Sequence, residues 1–366
     1  ETAMYLFPEL EIPEKKLRAV LVGCGEQATC LMHDAITYIG ALDVVGVCDL
    51  NRERADFAAK RFGLTRSYQD LDEMLASVKA DVAFVIMVPR LAPKLAKKCV
   101  EAGLDVYTEK PLGTDIQDLY ELEAALKKTG RKLGVSFNKR YGLAYSDMKK
   151  AIDSEGFGHP AVFNVRFIGG YRSTPTDLLR TGSCHFFDLG RYMIGEIEEV
   201  FAYKYEQAPG QHVFAVSALF DNGTVGSYTL GSVGSWACGY GMEAVDVRGD
   251  RNMVCADNGR DFMWQKPSRI LNSYADGASN QNTQAVAEQA VPVEILRPNY
   301  SNPGKLTEST YFINGNFQCI RAFVNAILKG EEPPVGFHDG MMALKIAMAI
   351  EKSVEEKRIV KISEIQ

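Results

Sequence analysis

No stretch of the chain approaches the ~18 consecutive apolar residues that a membrane-crossing helix needs, the longest clean run being the strand-sized Val82 to Val88. No block of lysine and arginine is present that could track a phosphate backbone, and 41 basic against 47 acidic residues leave a net charge of −6. Membrane insertion and nucleic-acid binding are therefore both disfavoured. Cysteines at 24, 30, 48, 99, 184, 238, 255 and 319 form no CxxC pair and no His-linked zinc spacing, so neither a disulfide frame nor a metal site is expected. Reduced thiols point to a cytoplasmic setting, and cysteine usage alone carries that expectation because the chain opens on Glu1 rather than Met. What remains is an ordinary globular composition, 46% hydrophobic and 24% charged over 366 residues, long enough for about two domains.

Residues 1–16, with two prolines and four glutamates, read as an extended arm. From Leu17 the chain alternates short apolar runs (17–22, 43–49, 81–88, 104–109, 132–137) with helix-length amphipathic segments such as 52–62 and 115–130. Near-continuous apolar strands separated by helices predict a parallel sheet covered on both faces, so residues 17–140 are expected to form a doubly wound α/β domain. After Tyr141 the period changes to two. Segments 159–170, 212–220, 223–231 and 241–250, with a turn at Asp221-Asn222-Gly223, predict antiparallel hairpins in a second α/β domain over 141–335 with an open sheet. Residues 265–305 read as a long excursion, and two helices near 312–329 and 338–354 precede a strand at 358–362, the piece 336–366 packing back on the core.

The first strand runs into Gly23-Cys24-Gly25-Glu26-Gln27-Ala28 and then a helix. This is GxGxxA in strand–turn–helix context: the first glycine permits the tight turn, the second lets backbone amides approach a pyrophosphate, and the small third residue lets helix and strand pack. Gly23, Cys24, Gly25, Glu26 and Gln27 are thus expected to hold a dinucleotide. Asp49 ends the second strand at a spacing near the ~20 residues expected of a ribose-binding carboxylate, which favours NAD over NADP, although Asp49 could equally cap the next helix. Thr108-Glu109-Lys110-Pro111 stands at the end of the fourth strand, on the edge where such sheets bind ligands. Asn138, Lys139 and Arg140 follow the fifth strand at the same edge, and Tyr171 and Arg172 follow a double glycine.

The ordered set GCGEQA, CDLN, VPRLAP, DVYTEKPLG and VSFNKRY, with HFFDLGRYMIG later, resembles the glucose–fructose oxidoreductase / inositol dehydrogenase / MocA family over the whole chain after the arm. The resemblance implies a Rossmann domain followed by an α/β domain whose open sheet faces the cofactor and forms dimer or tetramer contacts. It implies that Lys110 contacts the nicotinamide ribose and the reacting hydroxyl, with Glu109 beside it and Pro89 on the cofactor side. His185 matches the acid/base histidine of the family's D-x-x-x-H-x-x-D stretch, and Asp188 the later aspartate. One departure stands out: the first aspartate is Thr181 here, which can hydrogen-bond a substrate but cannot supply charge to His185. Asn138, Arg140, Tyr171, Thr181 and Asp188 are the expected substrate contacts. The implied activity is hydride transfer between NAD and a hydroxyl-bearing carbon of a sugar or polyol; an NAD-dependent glycosidase and a non-catalytic nucleotide or sugar sensor are the alternatives.

Overall fold

The computed structural model describes residues 15–235, 242–250, 252–266, 295–296 and 314–366. The expected arm, apart from its last two residues, and most of the expected excursion at 265–305 lie outside them. Strands β1 (Leu17–Val22), β2 (Leu42–Cys48), β3 (Val82–Val85), β4 (Asp105–Thr108) and β5 (Leu133–Val135) form one sheet in the order β2-β1-β3-β4-β5, every pair parallel. Val82, Ala83, Phe84 and Val85 are all fully buried, which is why this strand reads as an unbroken apolar run. Helices α1 (His33–Thr37), α2 (Arg52–Arg61), α3 (Leu71–Ser77), α4 (Ala92–Glu101) and α5 (Ile116–Thr129) connect the strands. Asn51, Asp70 and Asp115 cap α2, α3 and α5 through their side chains, and Gly130 closes α5 at φ +65°.

Among the described residues the second sheet has nine strands: β6 (Val162–Ile168), β7 (Ile197–Ala208), β8 (Gln211–Phe220), β9 (Val225–Gly231), β10 (Glu243–Arg248), β11 (Met253–Asp257), β12 (Asp261–Gln265), β13 (Ile295–Leu296) and β14 (Val360–Lys361). Their order is β13-β12-β11-β10-β6-β9-β8-β7-β14, antiparallel except where β6 meets β9. The expected hairpin at Asp221-Asn222-Gly223 joins β8 to β9, with Gly223 at φ +86°. β7, the longest strand, was not anticipated, because from Tyr203 to Glu206 both its faces are exposed and the apolar alternation stops. α6 (Leu143–Ile152), the single turn α7 (Pro175–Asp177), α8 (Cys184–Met193), α9 (Asn316–Lys329) and α10 (Phe337–Glu356) complete the chain.

One face of this sheet is packed and the other open. Along β8, Phe214, Val216, Ala218 and Phe220 are buried while Ala215 and Ser217 are exposed, the alternation of a half-covered sheet. α10 covers the buried face against β7 and α8. α9, which precedes the expected break at 335, packs on the first sheet instead: Phe323 meets Tyr107 and Phe84 at ring-centroid distances of 5.3 and 6.1 Å. Among the described residues no helix is long and apolar enough to cross a membrane, no group of three or more His, Cys, Asp or Glu side chains could hold a metal, and Cys24, Cys48, Cys99, Cys184 and Cys319 carry free thiols.

Candidate active site

The order β2-β1-β3 makes the carboxyl ends of β1 and β3 the point where the connections reverse direction, the crevice in which open α/β sheets bind ligands. Gly23 sits there at φ +93°, and any side chain on it would collide with the Ile86 carbonyl at the end of β3. Gly25 faces space: a Cβ would meet nothing nearer than the Arg54 guanidinium, at 3.8 Å. Ala28 is fully buried at the opening of a wide-turned helical segment, Ala28–Met32, that leads into α1. The carboxylate of Asp49 accepts the Cys24 N–H and the Asn51 N–H, both at 2.8 Å, and the cap of α2 is Asn51. Asp49 is thereby aimed at the glycine turn, with lone pairs left for hydroxyl donors. Burial, aided by Asp49, pushes the Cys24 thiol up to about 12, so residue 24 offers a backbone amide rather than a thiolate. Glu26 and Gln27 are exposed on the first turn and Pro89 lies half-buried in the turn after β3. A bare turn, an open approach above the second glycine and an oriented carboxylate fit a dinucleotide.

At the end of β4, Glu109 is 7% exposed and accepts the Lys110 backbone N–H at 3.1 Å, and the Lys110–Pro111 peptide is cis. Burial raises the Glu109 carboxyl above its ordinary range, opposed by the Lys110 charge and Ser136. His185 lies in the first turn of α8, its ring edge-on to Phe137 at 6.1 Å, and its Nδ1 is buried without a hydrogen-bond partner. Burial first, then the charges of Lys110 and Lys139, hold this imidazole well below its ordinary value. His185 is therefore a neutral imidazole, and Lys110 lies close enough to act on it electrostatically.

His185 opens onto a cavity of about 270 Å³ that Asn138, Lys139, Tyr145, Glu243, Asn258 and Arg260 also line. Lys139 bonds both oxygens of Glu243 at 2.7 Å, Tyr145 donates to the same carboxylate at 2.8 Å, and the lysine ammonium lies over the Phe186 ring. Glu243, Tyr145, Asn258 and Arg260 are not foreseen by sequence reasoning. The only trace is Asn258-Gly259, an ordinary turn signal.

Four expected substrate contacts are engaged elsewhere. Arg140 forks onto both oxygens of the buried Asp188 at 2.8 and 2.5 Å and reaches Asp339 at 2.7 Å, while Arg191 joins the same cluster at 3.0 Å. Burial pushes the Asp188 carboxyl up to about 6 against the pull of Arg140. These residues are bonded to one another, and neither Arg140 nor Asp188 lines the cavity. Thr181 donates to the Asp177 carboxylate at 2.6 Å and accepts from Arg172 at 3.3 Å. The Tyr171 ring, 65% exposed, lies over Gly210 in the β7–β8 turn. Neither Thr181 nor Tyr171 lines the cavity. Asn138 does, with its amide donating to the Asn314 carbonyl at 2.7 Å.

Comparison with known proteins bears on the whole chain. Myo-inositol 2-dehydrogenase of Thermotoga maritima is 24% identical over 377 aligned positions, covering 95% of this chain and 99% of that protein. Among solved structures, an oxidoreductase from Agrobacterium radiobacter in complex with NAD+, L-tartaric acid and magnesium superposes with a TM-score of 0.79 at 15% identity, covering 96% and 100% of the two chains. The scyllo-inositol dehydrogenase of Lactobacillus casei with bound NAD(H) and scyllo-inositol superposes with a TM-score of 0.74 at 19% identity, covering 95% and 100%. Residues 17–137 match the oxidoreductase-family NAD-binding Rossmann fold, and residues 149–362 match that family's C-terminal alpha/beta domain. With both halves matched in order and the glycine turn built for a dinucleotide, the chain belongs to the Gfo/Idh/MocA family of NAD-binding oxidoreductases.

Proposed function

We propose that this protein is an NAD-dependent dehydrogenase that oxidises or reduces a hydroxyl-bearing carbon of a sugar, polyol or sugar derivative, with His185 and Lys110 as its proton-handling and charge-stabilising groups. The observation that carries the assignment is a neutral, partnerless imidazole edge on a small polar cavity, next to a lysine at the carboxyl edge of the nucleotide-binding sheet. The 23–27 turn, Asp49, Pro89 and Glu109 would hold the dinucleotide, which would supply the hydride chemistry. His185 takes the hydroxyl proton on an unprotonated ring nitrogen. Lys110 stabilises the negative charge that develops on that oxygen, and Glu109, which accepts the Lys110 backbone N–H, holds the turn that carries the lysine. Asn138 and Lys139 face the substrate, whereas Arg140, Asp188 and Thr181 hold the loops that carry the site.

The second sheet's open face, with exposed Tyr203, Tyr205 and Val225, supports assembly of two or four copies through it, which light scattering on the purified protein tests. The scattered cysteines support a cytoplasmic placement.

Purified protein incubated with NAD, and separately with NADP, across inositols, aldoses, amino sugars and nucleotide sugars should show NADH absorbance rising with one substrate class and NAD. Sugar release without net NADH would replace the dehydrogenase by a glycosidase that uses NAD transiently. A flat trace without sugar release would replace it by a sensor.

A further inference from the structure

The cavity beside His185 has an unbalanced charge at one point of its wall. Lys139 and Glu243 cancel, since both glutamate oxygens take the lysine and one also takes the Tyr145 hydroxyl. Asn138 is bonded to the Asn314 carbonyl, and the Asn258 side-chain oxygen accepts the Met242 N–H at 3.2 Å. Arg260 also lines this wall, half-buried, and its guanidinium has no acceptor among the described residues.

The turn that carries Arg260 is tied down. Asn258 at φ +50° and Gly259 at φ +65° make the left-handed pair of a tight β11–β12 hairpin, closed by the Arg260 N–H on the Asp257 carbonyl at 3.0 Å. The Asn258 N–H is anchored to the Glu243 carbonyl at 2.8 Å. The arginine is thus held in register with the Lys139–Glu243 pair and, across the cavity, with the helix bearing His185. A neutralised glutamate removes the repulsion that an incoming anion would otherwise meet, and an arginine on a tied-down backbone offers a guanidinium fork matched to a carboxylate.

We propose that the substrate is a carboxylate-bearing sugar or polyol, a uronate or aldonate, whose carboxylate is taken by Arg260 while a hydroxyl several bonds away meets His185. This rests on the dehydrogenase reading for the chemistry but not for the binding. The volume suits a single sugar unit, being at the small end of ligand sites.

The test uses matched probes with the NAD-loaded protein: D-glucuronate against D-glucose, D-galacturonate against D-galactose, D-gluconate against sorbitol, and glucose 6-phosphate as the competing anion. Initial rates are read with NAD, and binding to the NADH-loaded protein is read by calorimetry. A charge-assisted contact should favour the acid over its neutral partner by about tenfold or more, the advantage should shrink with added salt, and Arg260→Leu should collapse the ratio towards one. Arg260→Lys, which keeps charge without the fork, should fall between; if the leucine variant does not fold, this variant and the salt dependence carry the test. A neutral partner bound or oxidised as well as its acid, a preference for the phosphate, a ratio untouched by Arg260→Leu, or failure of every acid to bind would each overturn the inference. Uronate binding that depends on Arg260 without any oxidation would uphold it and remove the redox reading, whereas oxidation of neutral polyols with no acid preference would do the reverse.

Discussion

Among the described residues His185 has no carboxylate partner to raise its basicity: Thr181 stands where the family resemblance implies an aspartate, and Asp177 is held by Thr181 and Arg172. Burial and two lysine charges lower its pKa further. The sign of the consequence is fixed, because a base must be unprotonated and its folded pKa lies below the ordinary ~6.5. kcat/KM should be flat from pH 8 down past that value and fall only in more acidic solution. A measured acid limb with its midpoint at or above the ordinary histidine value would remove His185 as the base. Substituting the two groups separately tests their roles: Lys110→Met and His185→Ala should each lower kcat by about 10²–10⁴-fold, with NADH affinity by fluorescence titration kept within a few-fold. Near-normal turnover in either variant removes that residue from the mechanism.

At the scale of the element, the β1–turn–helix unit separates two glycines that look alike in the sequence. Gly23 is demanded by the fold, since its left-handed backbone and the Ile86 carbonyl leave no room for a Cβ. Gly25 has open space instead, so its smallness serves an approaching ligand. Gly23→Ala should therefore lower thermal stability together with NADH binding. Gly25→Val should leave the melting temperature within a few degrees while NADH affinity falls at least about tenfold, the cost of blocking a close backbone–phosphate approach. Equal stability losses in the two variants would refute the distinction. The same unit was readable in advance because its signal is local: strand, glycine spacing and helix are contiguous, and Asp49 lies at the end of the adjoining strand.

Across the whole molecule, buried ion clusters tie together segments far apart in the chain. Arg140 follows β5, Asp188 lies in α8, and Asp339 lies in the first turn of α10. Removing Asp188 leaves the Arg140 guanidinium only Asp339, which Arg191 also uses, so Asp188→Ala should cost about 1.5–3 kcal/mol in urea unfolding. Replacing Arg140 and Asp188 together by leucine should recover a large part of that loss. A double variant as unstable as the sum of the single ones would show that the residues act independently. The Lys139–Glu243 pair joins the end of the first sheet to the second in the same way, and α9 closes the first sheet although it arrives some 180 residues after β5.

Read alone, the sequence determined the parallel sheet, the dinucleotide turn and the placing of Asp49 and Lys110 at strand ends, because each is encoded by hydrophobic period or by spacing along contiguous elements, whereas the choice of His185 rests on the resemblance to a family. Nothing in the sequence signals the bond between Arg140 and Asp188, which lie 48 positions apart and whose pairing leaves no local trace. Only the tertiary structure brought Glu243 to Lys139 and Arg260 to the cavity of His185, because charge pairing and cavity walls depend on which strands of the second sheet face the first, and no periodicity records that.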